Sequence, residues 1–283
     1  MSSGIGRALA REVLNRGMRV IGTLRRAEQI PDFEALAPGR SLGIRLDVTD
    51  SERVQPVLQA AIEHMGGHVG VAVNNAGRGL PGAVEELPLQ SMRELMEVNF
   101  FAAVNVIKAV LPFMRQRRSG HIVNVSSLAG VLGVQGMPVY SATKFALEGL
   151  SEGLRRELRE LGIKVTIVEL GLFRTSFRSN WAEAAPRLKP AAGSGSSDYQ
   201  HIAKLRDEML AADGKQAGDP ARAAQAIMRA VDAPRAPLRL VLGRDALEAI
   251  NIKLSSWRRE LDEWATVSCS TDFDAPEADG GRS

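Results

Sequence analysis

Short, β-branched apolar runs alternate along the chain with longer stretches in which apolar residues return every three or four positions. The short runs predict strands at MRVIGT (Met18 to Thr23), SLGIRLDV (Ser41 to Val48), VGVAV (Val69 to Val73), HIVNV (His121 to Val125), KVTIVEL (Lys164 to Leu170) and LRLVLG (Leu238 to Gly243). Several are apolar without interruption, as strands covered on both faces should be. The longer pattern predicts helices near 51–65, 91–118, 139–161 and 221–232, the last opened by Asp219 as N-cap and Pro220 at the first helical position. At the front, Ile5, Leu9, Ala10, Val13 and Leu14 trace one apolar face of a helix, with Gly4 and Gly6 at its start. A glycine-rich loop at that place normally joins a strand to the helix and offers backbone amides to a phosphate. Alternating strands and helices predict an α/β chain built on a doubly wound parallel sheet with helices on both faces. One domain over 1–268 is expected, with PAAGSGSSD (Pro190 to Asp198) a mobile loop and 269–283 a disordered tail.

Composition narrows the function classes. An apolar fraction of 45% supplies a sizeable core, and 24% charged residues fit an ordinary aqueous surface. Thirty-six basic residues against 33 acidic leave a formal charge of only +3. The densest basic run, Arg115 to Arg118, falls at an expected helix end, where cations suit the helix dipole; nucleic-acid binding is therefore not expected. Cys269 is the single cysteine, so no internal disulfide can form and a reducing, cytoplasmic setting is expected. The longest apolar stretch, FFAAVNVIKAVLPFM, is broken by Asn105 and Lys108 and reads as no membrane span, and MSSG reads as no signal peptide.

The candidate chemistry gathers on a few polar residues. In YSATK, Tyr140 and Lys144 stand four apart, on one face of a helix. A phenol with a pKa near ~10 is a poor base at neutral pH, and a nearby ammonium would lower that value by stabilising the phenolate. Ser127 follows the strand HIVNV and precedes Tyr140 by thirteen residues, so a strand end and a helix start could bring its hydroxyl beside the phenol. Upstream, VAVNNAG ends a strand in a polar turn, and EVNFF places Asn99 within a helix, where a buried amide needs a partner.

SSGIG, LDV, NNAG, the helical Asn99, Ser127, YSATK and a variant of PGxxxT, in this order, resemble the short-chain dehydrogenase/reductase family in its single-domain branch. The likeness runs from Ser2 to about Leu242, and in overall look it is nearest to retinol- and hydroxysteroid-dehydrogenase-like members. It implies a Rossmann-type fold and hydride transfer between NADP(H) and an apolar ketone or secondary alcohol. Tyr140 would be the general acid/base, Ser127 would polarise the substrate oxygen, and Lys144 would bind the nicotinamide ribose. Asn99 would hold a helix kink and a water leading from Lys144 to solvent. The cofactor would lie against Ser2, Ser3, Gly4, Ile5, Gly6, Asp47, Val48, Asn74, Ala76, Gly77, Gly171 and Thr175, with Asn74 more structural than catalytic. Asp47 and Val48 also read simply as a strand end before the helix-capping TDSE. NADP(H) rather than NAD(H) is expected because Leu24 stands where NAD-using members place an acid, with Arg25 and Arg26 after it. Leu170 replaces the proline of PGxxxT and would loosen that turn. Residues 176–218 would form a substrate lid, and Leu128, Val134, Val139, Leu172, Phe173, Phe177 and Trp181 are the apolar candidates for the pocket. Homodimers or homotetramers are expected, with a C-terminal helix over 245–264 capping the pocket or meeting a partner subunit. The family's first strand and the opening of its TGxxxGxG motif have no counterpart, so an earlier start than Met1 is expected. The alternative is a catalytically idle cofactor-binding or regulatory protein.

Overall fold

The computed structural model describes residues 3–179, 181 and 197–273; Ser2, most of the expected mobile loop and the tail from 274 lie outside the described residues. Strand β1 (Val20–Leu24) follows helix α1 (Gly4–Asn15), and then come α2 (Ile30–Glu34), β2 (Ser41–Arg45), α3 (Ser51–His64) and β3 (Val71–Asn74). Helix α4 (Leu89–Met96) and α5 (Ala102–Arg117) precede β4 (Gly120–Val125), α6 (Pro138–Leu158) and β5 (Ile163–Leu170). The chain closes with α7 (Gln200–Ala211), α8 (Pro220–Asp232), β6 (Arg239–Leu242) and α9 (Arg244–Cys269).

Every strand pairing is parallel, as the apolar runs required. The strands form two sheets among the described residues, β1-β2 and β3-β4-β5-β6. Side chains alternate across the four-stranded sheet. On β4, Ile122 packs with Leu58, Ile107 and Met114 of α3 and α5, whereas the next residue, Val123, packs with Leu9 of α1 and Ile227 of α8. That alternation puts helices on both faces.

Two boundaries differ from the sequence expectation in ways that bear on function. The helix expected over 91–118 is interrupted by a π-helical turn at Glu97–Phe101, which holds the buried Asn99. An inserted residue of this kind leaves helical periodicity nearly intact, so the apolar pattern cannot reveal it. Strand β2 stops at Arg45, and Asp47 and Val48 lie beyond its end. By length and composition the Leu89–Arg117 run is apolar enough to cross a bilayer. In the fold, Ala103, Ile107, Val110 and Met114 of that run are buried in the core. The C-terminal helix runs five residues past its expected end, to Cys269.

Candidate active site

The sequence candidates follow the C-terminal ends of parallel strands, where open α/β sheets place their ligands. Arg25 follows β1, Asp47 follows β2, Asn74 ends β3, Ser127 follows β4 and Gly171 follows β5. Helix α6 then carries Tyr140 and Lys144 back along β4 and β5. Its buried face includes Tyr140, Ser141, Thr143, Lys144 and Leu147.

Tyr140 is only 7% exposed, and burial pushes its phenol up to about 12, with a hydrogen bond to Ser127 drawing it partly back. This corrects the expectation of a depressed phenol. The Lys144 ammonium donates to Val125 O at 2.8 Å and lies 5.8 Å from the centre of the Tyr140 ring. Burial lowers the Lys144 amine to about 8, opposed by the Glu148 carboxylate one turn further along α6. The Ser127 hydroxyl donates to Leu170 O at 3.3 Å and accepts from the Ala129 amide at 3.2 Å.

Asn99 clasps the turn after β3. Its Oδ1 accepts from the Arg78 amide at 2.9 Å, while its Nδ2 donates to Arg78 O and to Thr143 Oγ1, each at 3.0 Å. A Cβ added to Gly77 would stand 3.3 Å from Asn99 Oδ1 and 3.7 Å from Lys144 Nζ, so the NNAG turn closes directly over both. Ala76 and Gly77 are exposed on this turn. Asn74, by contrast, is buried; its Nδ2 donates to Asn124 Oδ1 at 2.7 Å, and Asn124 in turn donates to Ser151 of α6 at 2.8 Å. The amide chain ties β3, β4 and α6 together, a structural duty.

A second group of candidates meets at the front of α1. Gly4 adopts a positive φ of 59°, a region open to glycine, and its added Cβ would lie 3.3 Å from Thr175. Ser3 and Ser176 hydroxyls share a hydrogen bond at 2.8 Å, and Ile5 and Gly6 are buried behind them. The turn after β5, expected to be loose without proline, is held from α9: the Leu172 amide donates to Asp245 Oδ2 at 2.7 Å, and the Gly171 amide donates to Leu242 O at 2.8 Å. Asp47 Oδ1 accepts from both the amide and the hydroxyl of Thr49, at 3.0 and 2.8 Å, and Asn105 donates to Val48 O at 3.4 Å. Asp50 caps α3 through the Arg53 amide. Arg25 and Arg26 are exposed past the end of β1, and among the described residues neither enters an ion pair.

The apolar candidates divide. Val134, Val139, Phe177 and Trp181 pack in the cluster around Tyr140, where the Phe177 ring lies 5.6 Å from both Tyr140 and Trp181. Phe173 instead packs against the α1–α8 cluster, and Leu172 is half-exposed.

The sequence profile of short chain dehydrogenases matches residues 1–186. The chain belongs to the short-chain dehydrogenase family. A short-chain dehydrogenase of known structure from Streptomyces avermitilis is 43% identical, covers 96% of this chain and 97% of its own, and superposes with a TM-score of 0.83. Human retinol dehydrogenase 8 is 37% identical over 250 residues, which are 84% of this chain and 78% of that protein. The structure of ElxO with NADP bound is 25% identical, covers 87% of this chain and 96% of its own, and has a TM-score of 0.69.

Behind the short-chain dehydrogenase residues lies a charged group that sequence reasoning missed. Arg239 on β6 bonds the carboxylates of Glu148, Glu152 and Glu169, two of which are buried. Burial lifts the Glu148 carboxyl to about 7, and Arg239 acts in the opposite direction. Glu148 and Arg239 are 91 residues apart in sequence, and only the β5–β6 pairing brings them together. The one legible signal was an acid at helical spacing after Lys144.

Proposed function

We propose that this chain is an NADP(H)-dependent oxidoreductase that interconverts an apolar ketone and a secondary alcohol, with Tyr140 as general acid/base. The observation that carries this reading is the buried Tyr140 phenol, bonded to Ser127, flanked by the buried Lys144 ammonium and walled by Phe177 and Trp181. The residues present fit a nicotinamide dinucleotide. Ser3, Gly4, Ile5 and Gly6 offer a helix N-terminus, with Gly4 at a positive φ close against Thr175, and Asp47, Val48, Ala76, Gly77 and Gly171 follow the C-terminal ends of strands. The unpaired guanidinium of Arg25 suits a 2′-phosphate, which favours NADP(H) over NAD(H). ElxO, whose structure has NADP bound, supports the choice of cofactor, and retinol dehydrogenase 8, named for an apolar alcohol, supports the apolar preference.

When bound, the nicotinamide exchanges a hydride with the substrate carbon. The chain's own residues manage the oxygen. Ser127 holds the carbonyl oxygen and stabilises charge that grows on it. Tyr140, kept protonated by burial, gives its phenolic proton to that oxygen during reduction and takes it back during oxidation. Lys144 steadies the phenolate that reduction leaves behind, and Asn99 fixes the π turn and the Arg78 backbone beside it. Residues around Phe177 and Trp181 exclude water from the reacting centre and set the apolar preference. A homo-oligomer acting on small carbonyl or alcohol substrates in a cytoplasmic setting completes the proposal.

The test is consumption of NADPH and NADH with a panel of apolar and polar ketones. NADPH should be oxidised with the apolar members, and Arg25→Ala should raise KM for NADPH by about tenfold, the loss of one charge-assisted hydrogen bond, with KM for NADH little changed. Equal effects on both cofactors, or preference for polar ketones, would overturn the corresponding part.

A further inference from the structure

Helix α9 begins on the body of the protein and leaves it. Ala246 and Ile250 are buried where the helix packs on β6 and the Leu128–Gly130 turn, yet beyond Ser256 every described residue is exposed. The apolar stripe that anchors the first turns does not stop there. Leu247, Ile250, Leu254, Trp257, Leu261 and Trp264 follow one another at alternating intervals of three and four, the seam of a heptad repeat. Five of them are 50–59% exposed: Leu247, Leu254, Trp257, Leu261 and Trp264.

We propose that this stripe pairs two copies of the chain through an antiparallel, two-fold symmetric contact between their α9 helices. The inference is independent of the reaction the site performs. The charge pattern selects both the occupant and the direction. Lys253 and Glu260 flank the seam on the same side, one heptad apart. With a two-fold axis between Ser255 and Ser256, Leu254 meets the partner's Trp257 and Leu247 meets the partner's Trp264, whereas Ile250 stays buried against its own body. In that register Lys253 stands opposite the partner's Glu260, and the symmetry repeats the pair on the other side of the axis. Among the described residues neither group has an ion-pair partner. Lys253 lies only over the Trp257 ring at 6.0 Å, and Glu260 accepts only from the Ser256 hydroxyl at 3.3 Å. Arg258, on the opposite flank, already pairs with Asp262 at 2.9 Å. A parallel pairing would set Lys253 against the partner's Arg258, like charge on like. The charged residues flanking the centre of the seam, Lys253, Arg258 and Glu260, carry both signs, which a second copy can complement and a uniformly anionic lipid surface cannot.

Cys269, exposed and the single cysteine, reports the geometry directly. A nitroxide attached there in the full chain should give a dipolar distance between copies of about 40 Å, from a helix rise of ~1.5 Å per residue. A distance below about 20 Å would mean parallel pairing and overturn the proposal. A monomer by sedimentation with no dipolar coupling would overturn it as well, whether or not the helix then binds vesicles of phosphatidylserine. Lys253→Glu and Glu260→Lys should each weaken dimerisation at least tenfold, and the two together should restore it. Circular dichroism would show that each variant is folded; folded single variants with undiminished dimerisation would equally contradict the register.

Discussion

At the scale of single residues, the site is a set of ionisable groups placed where water cannot reach them. Burial raises Tyr140 and lowers Lys144, shifting each toward its uncharged form. Glu148 opposes the second shift, and its own carboxyl is held between Lys144, Glu169 and Arg239. Glu148→Gln removes the charge that keeps the Lys144 proton on. The variant should therefore lose its alkaline limb of activity at a lower pH than the parent, while KM for the ketone is little changed. A pH–kcat profile checks this; an unshifted limb would show that Glu148 serves packing alone. The pairing of Tyr140, Ser127 and Lys144 was legible in the sequence because all three lie close together in the chain, across one strand end and one helix start. The Arg239 cluster was not. Its partners are scattered over α6, β5 and β6, and an arginine on an apolar strand carries no local sign of what it will meet.

At the scale of elements, parallel pairing orders the site, and two contacts hold that order. His121 on β4 is buried against Thr166 of β5, its Nε2 and the threonine hydroxyl 2.9 Å apart, and burial with nearby Lys164 and Arg155 lowers it to about 4. The folded state thus binds fewer protons than the unfolded chain between its value and the ordinary 6.5. Its contribution is complete above that window and is lost as pH falls through it, a difference of about 3 kcal/mol. His121→Gln should flatten the fall in urea midpoint over this range, and an unchanged slope would remove His121 from the account. The other contact is Asp245, which reaches from the start of α9 to the Leu172 amide. Asp245→Ala should cost about 1–2 kcal/mol in urea unfolding, because it frees the turn that proline would otherwise stiffen; a neutral result would mean that the Leu170–Leu242 pairing suffices. Strand positions were readable from apolar runs since both sheet faces are covered. The tightness of this turn was not, since its clamp comes from a residue 73 positions away.

At the scale of the whole molecule, β1 and β2 present Arg25 and Asp47, while the four-stranded sheet presents Asn74, Ser127 and Gly171, all at strand C-termini. Helix α1 and the segment after β5 meet through Gly4, Thr175 and the Ser3–Ser176 bond. The central claim is that this frame serves one proton transfer at Tyr140. It is tested most directly by Tyr140→Phe, measured in two ways on the same sample. NADPH titration by calorimetry should give a Kd within a few-fold of the parent, and single-turnover reduction of an apolar ketone should slow by about a hundredfold or more. Reduction at the parental rate by a variant that still binds NADPH would contradict the assignment of Tyr140, and binding without turnover in the parent itself would establish the idle cofactor-binding protein instead.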